Sequence, residues 1–112
     1  MMWVMSMERE RLVVTASENG WTVAGEIDAS TAPALDEALQ TLPVATGSVV
    51  IDVSDVVFID SSGLRVLISL ANRAEQVGRS VILQRPSPTV RRLLEITGLT
   101  DMFGLESDPA GS

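Results

Sequence analysis

Two short, continuous apolar runs, Val49-Val50-Ile51 with Val53 and Val81-Ile82-Leu83, each lie one loop away from a stretch with helical spacing. Unbroken apolar strands of this kind are typical of α/β sheets covered on both faces. Upstream, Arg11–Ser17 is rich in β-branched residues, Asn19-Gly20 is a hairpin turn signal, and Trp21–Ile27 alternates, which predicts an opening β-hairpin. Asp28-Ala29-Ser30-Thr31 then offers capping oxygens, Leu35, Ala38, Leu39 and Leu42 recur at helical spacing, and Pro43 ends the element. A second helix is expected from about Ser62 to Val77 with Gly78 as its stop. A third opens on Ser87-Pro88, turns Val90, Leu93, Leu94 and Thr97 inward, and ends at Gly98-Leu99. Met102-Phe103 completes the pattern as a last short strand. A hairpin followed by alternating strands and helices predicts one α/β domain built on a small mixed sheet of 4–5 strands.

At 112 residues the chain suits a single domain, assigned here to residues 9–105. Residues 1–8 read as a loose leader, with a short strand extension at the sheet edge as the other option. Residues 106–112 read as a polar, frayed tail. The apolar opening is too short for a signal peptide, and no later stretch is long enough to span a membrane, so a soluble, cytoplasmic protein is expected. The absence of cysteine fits a reducing compartment.

Composition removes most chemistry. The net charge is −7 and the eight basic residues are all arginines, scattered rather than striped, which argues against general nucleic-acid binding. There is no histidine, lysine, cysteine or tyrosine. A serine nucleophile therefore lacks a base, and a phospho-acceptor Asp52 of the response-regulator kind lacks its lysine. Two Phe and two Trp leave little to line a sugar site for a carboxylate pair. Asp28, Asp52, Asp55 and Asp60 are the only candidates for a magnesium site, but aspartates at strand ends and caps are commonplace. No catalysis, cofactor or metal is expected.

What stands out is Asp60-Ser61-Ser62-Gly63-Leu64, where the run Val56-Val57-Phe58-Ile59 gives way to the second helix. Hydroxyls there meet unpaired N–H groups and the positive end of the helix dipole, a setting that stabilises an added phosphate. The competing reading is plain helix capping by Asp and Ser. In the helix that follows, 100° steps put Leu64, Leu67, Ile68, Ala71 and Ala74 on the core side. Arg65, Ser69, Asn72, Arg73 and Gln76 fall on the polar arc. Val66, Leu70 and Val77 lie between, either against a neighbouring helix or as a docking stripe running back from the serines.

Taken with Gly25-Glu26-Ile27-Asp28, Thr31 and the stretch Pro86–Leu99, the Val57–Leu64 segment makes the chain resemble the STAS domain, and more narrowly the bacterial anti-sigma factor antagonists. The resemblance spans about Arg11 to Phe103. It implies helices packed mainly on one face of the sheet. It also implies a partner switch in which Ser61 is phosphorylated by an anti-sigma factor acting as an ATP-dependent serine kinase, and is reset by a serine phosphatase. Asp28 matches the acidic position near the acceptor. The docking surface so implied comprises Asp28, Thr31, Asp60, Ser61, Ser62, Gly63, Leu64, Val66, Leu70 and Arg73. The alternative is a STAS scaffold subunit of a stress-signalling or lipid-transport assembly, with the serine only a cap. Relatives usually continue into a further C-terminal helix, and no helical pattern follows Asp108 here.

Overall fold

The computed structural model describes residues 6–9 and 11–106. Among them six strands form one mixed sheet in chain order: β1 Ser6–Arg9, β2 Leu12–Ser17, β3 Gly20–Ile27, β4 Val49–Ile59, β5 Val81–Gln84 and β6 Gly104–Glu106. β1, β2 and β3 pair antiparallel, and β3 through β6 pair parallel. The helices are α1 Ala32–Ala38, α2 Ser61–Gln76 and α3 Pro88–Thr97, followed by a 3₁₀ turn at Thr100–Met102.

The sheet has one strand more than expected, at the β1 edge. Ser6–Arg9 pairs with β2, so the end of the supposed leader is the edge extension rather than loose chain; residues 1–5 lie outside the described residues, as do residues 107–112 of the tail. At the other edge, Met102 closes the 3₁₀ turn and pairing begins only at Gly104, two residues later than expected.

Register shows where the core is. Trp21 pairs with Ile51, Ile51 with Leu83, Val14 with Val23, and Ile27 with Ile59, and these side chains share one face. Against that face α1 and α2 place Leu35, Leu39, Leu64, Leu67, Leu70 and Ala74, all buried. The opposite face carries Val13, Thr22, Val50 and Ile82, which are exposed or half-buried. The apolar runs that predicted strands buried on both faces are thus fully enclosed on one face only. Val49 and Ile51 are buried while Val50 between them is half-exposed.

Gly20 ends the hairpin, but its glycine identity answers to packing. The loop is Glu18-Asn19, one residue earlier than the expected turn. A Cβ on Gly20 would lie 1.6 Å from the Val50 carbonyl oxygen, where β4 closes on β3. Two register shifts along β3 and β4 let eleven residues of β4 run beside eight of β3. At the first shift, buried Asp52 accepts from the Ser54 N–H (3.0 Å) and hydroxyl (2.7 Å) and pairs with Arg85. Burial alone would raise the Asp52 pKa, but the Ser54 N–H, Arg85 and the Ser54 hydroxyl together hold it below the usual carboxylate range. Arg85 adopts the left-handed backbone (φ 50°), unusual for a side chain with a Cβ, as the chain turns from β5 towards α3. Ser87 caps α3 and donates to the Val56 carbonyl at 2.6 Å, fastening that helix to β4. Val90 and Leu94 face inward as expected, whereas Leu93 is half-buried and Thr97 is exposed, its hydroxyl bonded back to Leu93.

Candidate functional site

β3 and β4 end side by side. The Asp60 N–H donates to the Ile27 carbonyl at 3.1 Å, so Asp28 and Asp60 are the first residues beyond two neighbouring parallel strands. Binding crevices of open α/β sheets form at this carboxyl end of the parallel strands, and here the α2 N-terminus opens onto it.

Asp60 is the α2 cap. Its Oδ1 accepts from the Ser62 N–H (2.8 Å) and the Gly63 N–H (3.3 Å). Ser61 is the first helical residue and is exposed; its hydroxyl makes no hydrogen bond among the described residues. The serine is therefore not the cap that the alternative sequence reading made of it. A structural role already filled by the preceding aspartate leaves the hydroxyl chemically available.

Asp28 folds the opposing loop. Its Oδ1 accepts from the Ser30 N–H (2.9 Å), the Ser30 hydroxyl (2.7 Å) and the Thr31 N–H (3.1 Å), and Oδ2 pairs with Arg11 at 2.8 Å. Arg11 also reaches Glu26 at 2.6 Å. The Ser30 hydroxyl bond comes first among the causes, opposed by partial desolvation and helped by the two N–H groups and Arg11; together they hold the Asp28 pKa down to about 2. Asp28 is thus a charged group with a cation already against it, a pairing the sequence reading did not anticipate because Arg11 lies seventeen residues upstream. A group whose folded pKa is depressed stabilises the fold above its unfolded pKa and loses that contribution as pH falls. The window here runs from the ordinary 3.8 to about 2. We expect the Asp28 carboxyl resonance to titrate near 2. We also expect the stability advantage of wild type over Asp28→Asn to be full at pH 5 and to shrink between pH 4 and 2; an ordinary midpoint would refute the loop geometry.

Several residues assigned to the docking surface are interior instead. The Thr31 side chain is buried; it donates to the Glu26 carbonyl (2.9 Å) and accepts from the Asp28 N–H (2.9 Å), stapling the loop shut. Leu64 (5% exposed), Val66 (8%) and Leu70 (0%) are core, and α1 packs against α2; of the supposed docking stripe only Val77 (61%) faces solvent, at the far end of the helix from Ser61. The inward face of α2 is rotated from the expected one, so Ile68 and Ala71 are only half-buried. Arg73 donates to the Leu39 and Gln40 carbonyls at the end of α1, about 18 Å along the helix from Ser61. Gly63 serves packing rather than a visiting partner. It is buried, and a Cβ there would meet Ile27 Cγ2 at 2.4 Å.

What remains outward at the helix mouth is exposed Ser61 with half-exposed Asp28, Asp60 and Ser62. Val57 (67% exposed) and Phe58 (45%) join them at the end of β4. In the sequence they read as part of an apolar run; in the structure Val57 is the extra residue at the second register shift, opposite the Gly25–Glu26 step of β3. Among the described residues no group of acidic side chains gathers as a metal site, and no helix is long and apolar enough to cross a membrane.

The molecule is thus a one-domain mixed sheet with an exposed serine at the α2 mouth and two exposed apolar side chains near the end of β4. The STAS domain pattern matches residues 20–110, and the chain belongs to that family. It is 41% identical over 86 residues to the anti-sigma-B factor antagonist of Listeria monocytogenes, covering 76% of this chain and 75% of that protein. It is 37% identical over 110 residues to the anti-sigma-F factor antagonist RsfB of Mycobacterium tuberculosis, covering 92% and 87%. The crystal structure of an anti-sigma factor antagonist from Mycobacterium paratuberculosis superposes with a TM-score of 0.63 at 28% identity, covering 97% of this chain and 88% of that one.

Proposed function

We propose that this chain is a regulatory anti-sigma factor antagonist rather than an enzyme. Unmodified, it docks the α2 mouth onto an anti-sigma factor in the cytoplasm and so frees a sigma factor for transcription. That partner is also a serine kinase: it moves the γ-phosphoryl group of ATP onto the Ser61 oxygen, ADP and the hydroxyl proton depart, and the modified antagonist lets go. A serine phosphatase restores the hydroxyl. The names of the relatives support the partner class. The observation that carries the switch is the exposed Ser61 hydroxyl, which has no hydrogen bond among the described residues while Asp60 caps the helix.

Mixing the protein with its anti-sigma factor and ATP, then mapping the product by mass spectrometry, is the test. A single added phosphate on Ser61, absent from Ser61→Ala, is expected. Phosphate on Ser62 or elsewhere, or none under conditions where the partner binds, would overturn the reading.

A further inference from the structure

We infer that Arg65 is the built-in counter-ion of the phosphate group on Ser61. The inference rests on the reading of Ser61 as phospho-acceptor and adds the residue that receives the new charge. Positions 61 and 65 are one turn apart on α2, and side chains at that spacing lie on the same face with their Cβ atoms roughly 5–6 Å apart. An acid placed N-terminal to a base at this spacing is the favourable order.

Four other arginines are spent on the fold. Arg11 holds Glu26 and Asp28, Arg73 holds the end of α1, Arg79 donates to the Pro43, Ala45 and Gly47 carbonyls, and Arg85 pairs with Asp52. Arg65 is exposed and makes no hydrogen bond or ion pair among the described residues. It stands on the wall of a shallow groove of about 380 Å³ between α1 and α2, with Ala29, Ala32, Asp36, Ser62 and Ser69. Asp36 is the acid facing it there, and that carboxylate already accepts from Gln40 at 3.1 Å. Asp60 is turned to the Ser62 and Gly63 N–H groups.

A phosphate on Ser61 brings about −1.5 to −2 charges to this helix end. The guanidinium offers it a charge-assisted, two-pronged contact, of the kind that favours Arg over Lys. Arg65 then draws the phosphate along α2 towards the groove, so that one end of the docking surface gains an anion and gives up its free cation together.

Phosphoserine installed at position 61 during protein synthesis makes the test independent of any kinase. Phosphorus NMR then follows the second ionisation of that group, ordinarily near pH 6. In Arg65→Gln the midpoint should rise by about 0.3 pH, the scale of a helical pair at this spacing. Arg65→Lys, which keeps the charge but not the fork, should recover part of that rise, and about 0.5 M salt should erase the difference. Coincident curves for wild type and Arg65→Gln, or Arg65→Lys tracking Arg65→Gln, would overturn the inference. Neither result touches whether Ser61 is the acceptor, and failure of the kinase assay leaves this titration unaffected.

Discussion

Phosphoserine at position 61 should weaken binding to the anti-sigma factor by about 30- to several-thousand-fold while leaving the domain folded. The estimate follows from the roughly 2–5 kcal/mol scale of an unpaired charge driven into an interface. The added group sits among half-exposed Asp28 and Asp60 and beside the apolar pair Val57 and Phe58, where a docked partner would strip its water. Within the domain the same charge meets the favourable end of the α2 dipole, so its effect on stability should stay within about 1 kcal/mol. Ser61→Asp, with one charge and a shorter reach, should fall between the modified and unmodified proteins. Calorimetric titration of the two forms reads the affinity and thermal unfolding reads the fold. Equal affinities would end the switch, and a collapse of the fold would replace it with a different mechanism.

Leu70→Ala should cost about 2–5 kcal/mol of stability, the range for emptying a fully enclosed leucine site. Partner affinity per folded molecule should be unchanged. This separates the two sequence readings of α2: a docking residue would lose binding and spare stability. Denaturant midpoints paired with binding measured well below the midpoint give both numbers. Weakened binding at full stability would put Leu70 back on the surface.

The elements were legible because their punctuation is strong. Ser87-Pro88 opens α3 and Gly98 ends it, and Asp60 separates strand from helix as a cap should. The place of Ser61 was legible for the same reason, since a hydroxyl one residue past a capping aspartate must lie in the first helical turn. Orientation was not. A wheel assigns Val66 and Leu70 to a flank, but which flank is wet depends on where α1 lies, and that is settled by long-range packing. The exposure of Val57 and Phe58 depends on a register shift, and a β-bulge leaves no alternation to read in an apolar run. Arg11 with Asp28 and Arg73 with the α1 end are distant in sequence, and no local pattern announces such pairs.

Gly63 lodges the first turn of α2 directly against Ile27 and Ile59, leaving no room for even one methyl group between helix and sheet. That contact leaves no slack between the first turn of the helix and the sheet below the serine. On the proposed reading, phosphorylation of Ser61 is then a change of paint on a fixed plate: the pace of switching would be set by the enzymes that write and erase, with no internal gear to turn.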